Sequence, residues 1–172
     1  MQSDTQTTTR EHADLIDTLG KHRGFLIRAV QGMTDEQAGL RPTVSELCLG
    51  GIVRHVTLVE ERWVSFILEG SQAIGPADAD AYERHLASFL MDGETLDGLL
   101  TRYEAVARRT DEVVGSLPSL DDSHPLPEAP WFEAGASWSA RRTLLHIIAE
   151  TSQHAGHADI IRESIDGAKT MG

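Results

Sequence analysis

Residues 139–166 read SARRTLLHIIAETSQHAGHADIIRESID and are followed by Gly167. Within this stretch Ile147, Thr151, His154, Ala158, Ile161 and Ile165 recur at steps of three and four residues. That period is the signature of an α-helix with one face turned to a core. Gly167 stands where a helix is expected to stop, because glycine accepts the left-handed backbone of a C-terminal cap. The segment is therefore one long amphipathic helix.

The same period extends toward the N-terminus. Leu96, Leu100, Tyr103, Ala107, Thr110, Val113 and Leu117 give a helix over about residues 94–117. Cys48, Ile52, His55, Val59, Trp63 and Phe66 give one from Ser45, a plausible N-cap, to Glu69, with Gly70 as its stop. Leu15, Leu19, Leu26, Val30 and Met33 give one over 10–33, with His22 on the same stripe. Thr34 to Gln37 has the spacing of a capping box and starts a short turn of helix. Residues 71–93 are looser, with Gly75, Pro76 and Gly93, and leave room for a short helix over 82–90. No segment sustains a period of two rich in β-branched and aromatic residues, so essentially no sheet is expected. Four helices of about 24 residues would each be roughly 36 Å long. The expected fold class is all-α, a four-helix bundle with short additional helices, in one domain over 10–168 behind a flexible tail over 1–9.

The chain has 172 residues, 27 acidic and 15 basic, for a net charge of −12. This balance argues against gripping nucleic-acid phosphates or an anionic membrane surface, both of which need clustered cations. The single cysteine, Cys48, excludes an internal disulfide and a cysteine-rich zinc site; on the stripe of the second long helix it reads as a buried structural residue. The start, MQSDTQTTT, has neither the basic nor the apolar region of a signal peptide, and no stretch is long enough to span a membrane. A cytoplasmic location is expected. Only Lys21 and Lys169 are lysine among the basic residues, a bias that fits a GC-rich genome.

Chemistry concentrates on the last helix. Glu150 and His154 are four apart and point the same way, with His146 one turn earlier and His157 one turn later. Such a pair offers a metal ion two donors, and a third must come from another helix. His55, between Ile52 and Val59 on an apolar stripe, is the best third donor. Two imidazoles and one carboxylate would leave a bound divalent ion near +1, with open positions as in catalytic sites. The plainer alternatives are a hydrogen-bonded core histidine at 55 and a surface Glu–His pair. His12, His22, His85 and His124 show no partner pattern and read as structural or surface residues. The connection over 118–138, with Pro125, Pro127 and Pro130, is too long for a tight hairpin, and its Trp131 and Trp138 can wall a pocket.

Taken together, residues 49–55 (LGGIVRH), 60–63 (EERW), Trp131–Phe132, 143–146 (TLLH) and above all 150–163 (ETSQHAGHADIIRE) resemble the DinB/YfiT-like superfamily of metal-binding four-helix bundles. The similarity is greatest to the actinobacterial branch related to mycothiol-dependent maleylpyruvate isomerase. The resemblance implies an up-down-down-up bundle and zinc or nickel bound by His55, Glu150 and His154. Many members have histidine at both positions of the last-helix pair; Glu150 departs from that pattern and favours the isomerase-like type. Also implied is a metal-dependent S-transferase or isomerase that uses a small thiol, here mycothiol, and an electrophilic substrate. His146, His157, Asp159 and Arg162 are further candidates near the site, for support or substrate contact. The alternative is a non-catalytic, stress-related metal-binding bundle. Homodimers are common for such bundles, and the sequence points to no patch for one.

Overall fold

The computed structural model describes residues 9–75 and 78–170. Apart from Thr9, the expected N-terminal tail lies outside the described residues, as does Pro76. The described chain is mostly helical. In order it forms α1 (Arg10–Val30), α2 (Asp35–Ala38), α3 (Leu49–Glu69), a 3₁₀ turn (Gly70–Ala73), α4 (Ala81–Ala87), α5 (Leu96–Ser116), β1 (Ser123–Pro125), β2 (Ser137–Ser139) and α6 (Ala140–Asp166). None of these helices is long and apolar enough to cross a membrane.

Side-chain caps set several helix starts. Thr9, Thr95 and Ser139 each accept a backbone N–H from the first turn of α1, α5 and α6. The capping box on Thr34 and Gln37 forms with both of its hydrogen bonds. Ser45 does not cap α3. Its Oγ accepts the Leu47 amide, and Thr43 Oγ1 accepts that of Ser45, so both hydroxyls are engaged in local turns. The helix starts four residues later, with Cys48 as its N-cap and no side-chain cap bond. At the other end of α6, Gly167 takes φ +79° and its N–H caps the Glu163 carbonyl, as a glycine stop should. For Ser139→Ala we expect a loss of about 1 kcal/mol, read as a lower urea midpoint with an unchanged slope.

The long helices pack on one another. α6 lies most extensively against α1 and α3, and α3 also packs on α5. The apolar interior falls into two clusters. One gathers Leu26, Leu49, Ile52, Val56, Leu99, Tyr103, Ala158 and Ile161. The other gathers Leu19, Trp63, Phe66, Val114, Leu144 and Ile147. Along each helix a polar residue stands between the two. These are Arg23 on α1, Glu60 on α3, Thr110 on α5 and Thr151 on α6, all buried. Glu60 accepts hydrogen bonds from Arg23 and from Thr110 Oγ1 (2.6 Å), and Arg23 also reaches Asp111 (2.9 Å). A charged belt therefore divides the core; on α6 Glu150 and His154 flank Thr151, and on α3 His55 lies among the residues of the first cluster, ahead of Glu60.

Where essentially no sheet is expected, the described residues hold one two-stranded ribbon. β1 and β2 pair antiparallel, with Ser123 opposite Ser139, His124 opposite Trp138 and Pro125 opposite Ser137. Three residues per strand are too few to show a period. The ribbon pinches the long connection so that residues 126–136 form a loop at its tip. It is moored at several points. Leu120 is buried, Ala140 N–H bonds the Asp122 carbonyl (2.9 Å), and His124 Nε2 bonds the Ile67 carbonyl on α3 (3.1 Å). Gly70, at φ +79°, makes room for this: a Cβ there would sit 3.1 Å from His124 Nδ1.

Candidate metal centre and its cavity

The two long helices α3 and α6 bring His55, Glu150 and His154 together. Among the described residues, these three form a group whose ligand atoms all lie within 4.8 Å of one another. His55 Nε2 is 3.8 Å, and His154 Nε2 3.6 Å, from Glu150 Oε2. Donors each about 2.1 Å from one tetrahedral ion would stand about 3.4 Å apart, so the spacing suits a shared cation. Both imidazoles are buried, and Glu150 is partly open.

The protons support the same fit. Ser88 Oγ donates its hydrogen to the His85 carbonyl (2.6 Å). Its oxygen must then accept from His55 Nδ1, 2.7 Å away. Burial, the largest influence on His55, pushes its pKa down and keeps the ring neutral. With the only ring proton on Nδ1, Nε2 presents a lone pair toward Glu150. The Glu150 carboxyl is held well below the usual carboxylate range, chiefly by its hydrogen bond with His154, and stands ionised. A bare imidazole nitrogen facing a carboxylate is repulsive unless a cation or proton lies between them. The donor set, two imidazole nitrogens and one carboxylate, suits a divalent ion.

The neighbouring groups divide into those at the cluster and those away from it. His146 Nε2 lies 4.0 Å from Glu150 Oε1, and its ring packs edge-on against Trp63 and Trp138. His157 Nδ1 is 3.4 Å from His154 Nδ1, behind the ring as seen from Glu150. Asp159 and Arg162 are engaged elsewhere. Asp159 accepts the Thr170 amide (2.7 Å). Arg162 caps the end of α1 through the Ala29 and Gln31 carbonyls and pairs with Asp166. Neither lines the cavity described next.

His55 and Glu150 open onto a cavity of about 630 Å³. One wall is aromatic: Trp63 and Trp138 stack at 4.8 Å, and Phe132 and Trp131 continue the surface. Trp131 and Trp138 of the long connection thus do wall a pocket. Arg62, Tyr82, Arg84 and His85 also line it. His85 is a residue that sequence reasoning missed. Its ring packs edge-on against His55 and Phe89, and Phe89 stacks on His55 at 3.8 Å. The signal was the spacing of His85 and Phe89, four apart on a short helix and its continuation.

Comparison with known families decides the relationship. The family model described as Mycothiol-S-transferase matches residues 14–167. The chain belongs to that family. The match takes in α1 from residue 14, the other three long helices, both strands and the whole His–Glu–His cluster, so the DinB-like, mycothiol-related resemblance of the sequence is shown. No curated protein shows a significant match to the chain.

Proposed function

We propose that this chain is a divalent-metal-dependent S-transferase that joins the sulfur of a small thiol, mycothiol, to an electrophilic substrate. The observation that carries the reading is a His–Glu–His donor cluster opening onto an aromatic-walled cavity in a member of the Mycothiol-S-transferase family. We read the fold as an up-down-down-up four-helix bundle in a single domain over 10–168, acting in the cytoplasm. His55, Glu150 and His154 would hold the ion, zinc or nickel. When bound, it would supply positive charge that favours the thiolate form of a thiol at neutral pH.

The protein's own groups account for the rest. His157 accepts the outer proton of His154 and so aims Nε2 at the ion. The Trp63–Trp138 stack excludes water on one side of the cavity. Arg62 and Arg84, the latter also paired with Asp78 (2.8 Å), line the same cavity and favour an electrophile that carries an anionic group. His146 stands beside Glu150 in the cavity wall, placed to exchange a proton with a bound group.

The test is turnover with mycothiol and a panel of electrophiles, a haloarene, an epoxide and an unsaturated acid, using protein loaded with zinc or nickel. Loss of thiol matched by thioether formation is the expected result. Unchanged thiol across the panel, with the ion bound, would point instead to a non-catalytic metal-binding protein. Trp131, largely exposed on the cavity rim, provides a second check. Trp131→Ala should raise KM on the order of tenfold, equivalent to about 1.4 kcal/mol, and leave kcat nearly unchanged.

A further inference from the structure

The segment that follows α4 lies flat across the start of α3. An ideal Cβ on Gly51 would fall 1.8 Å from the Phe89 carbonyl oxygen and 2.6 Å from its carbon. Backbone cannot step aside as a side chain can, so only glycine at 51 lets the segment lie where it does. A Cβ on Gly50 would meet the Met91 side chain at 2.5–2.9 Å. One turn further along α3, Arg54 ties down both ends of the segment. It donates to the Ala87 carbonyl (2.9 Å) and to Glu94 Oε1 (2.9 Å), and it stands 3.6 Å from Asp92. Between these anchors, Ser88 and Phe89 are delivered onto His55: the hydroxyl to Nδ1 and the ring onto the imidazole face.

We infer that residues 88–91 are a positioning strap for the metal centre, docked by Gly51 and Arg54, which locks His55 in the Nδ1–H form with Nε2 free to bind the ion. The inference rests on the metal reading proposed above. The strap offers no donor to the ion; it acts through His55, and its Phe89 ring also meets His154 at 5.4 Å. Groups that hold the outer nitrogen of a ligating histidine typically change metal affinity about 10- to 100-fold when removed. The glycine pair at 50–51 and the arginine at 54 are therefore part of the site, although none of them offers a donor to the ion.

The experiment measures zinc affinity of the full chain by competition with a chromogenic chelator, alongside the visible spectrum of the cobalt-substituted protein. Ser88→Ala should bind zinc about 10- to 100-fold more weakly, with a melting temperature of the metal-free protein close to that of the wild type. Ser88→Thr keeps the hydroxyl and should restore the affinity. Gly51→Ala should push the strap off and cause a similar loss. The double variant should lose no more than Gly51→Ala alone, because displacing the strap already removes the Ser88 contact. Arg54→Ala, which releases the strap without crowding α3, serves if Gly51→Ala does not fold, and it should weaken zinc in the same direction. Wild-type affinity in Ser88→Ala, or losses that add in the double variant, would overturn the strap while leaving the metal centre intact. A wild-type protein that takes up no divalent ion would overturn the metal reading and the strap with it.

Discussion

Replacing His55 by alanine should empty the metal centre. The wild-type protein is expected to hold about one equivalent of zinc or nickel after dialysis and the variant under roughly a tenth of that, because two donors from one helix turn do not close a site. The readout is metal analysis of the purified proteins. Stability offers an independent measure. An ion that binds only the folded state stabilises it by about 2.7 kcal/mol when present at a hundred times its Kd. Chelation should therefore lower the melting temperature of the wild type and leave His55→Ala unmoved. Glu150→Gln keeps the shape of the side chain and removes its charge, and it should fall between the two. Full occupancy in His55→Ala would sink the three-residue donor set.

The second large effect lies in the charged belt. Glu60 has no exposed surface and is paired with the buried Arg23. Glu60→Ala leaves that guanidinium with only Asp111, whose side chain is 41% exposed. The expected loss is about 3–5 kcal/mol, the usual result of stripping one partner from a buried pair. Urea unfolding measures it. The double change Arg23→Met with Glu60→Leu should be much milder, since it removes the unpaired charge along with its partner. A double variant as unstable as Glu60→Ala would show that shape, and not charge, governs this layer.

Much of this molecule was readable before its structure. The four long periodic segments became α1, α3, α5 and α6, and Gly70, Gly167, Thr34 and Ser139 mark boundaries as expected. The cluster of His55, Glu150 and His154 was readable because two of its members sit one turn apart and the third lies on an apolar stripe. The misreadings have physical causes. On α1 the stripe was drawn through His22, yet Arg23 is the buried residue, only 5% exposed. Its position between Leu19 and Leu26 fits the same period, but a charge on a stripe is discounted until its partner is known. Glu60, buried, and Glu61, exposed, are neighbours in sequence, and only packing against α1 and α5 separates them. Asp159 and Arg162 lie on the same helix as the donors, but they are drawn to the end of α1 and to the C-terminal segment. The strap was invisible for a different reason. Its contacts join residues 33 to 40 positions apart, and a missing Cβ at Gly51 leaves no pattern to count.

The moored connection between α5 and α6 has a consequence for how such proteins can diverge. Leu120, the β1–β2 ribbon and the His124 contact hold its two ends, while the tip carrying Trp131 and Phe132 reaches the cavity from outside the helices. The candidate donors His55, Glu150 and His154 lie on α3 and α6, and their contacts with one another do not involve that tip. Lengthening, shortening or rewriting residues 126–136 would therefore reshape the cavity wall while the His–Glu–His cluster stays in place. This loop is where a designer, or natural selection, would change what the protein acts on.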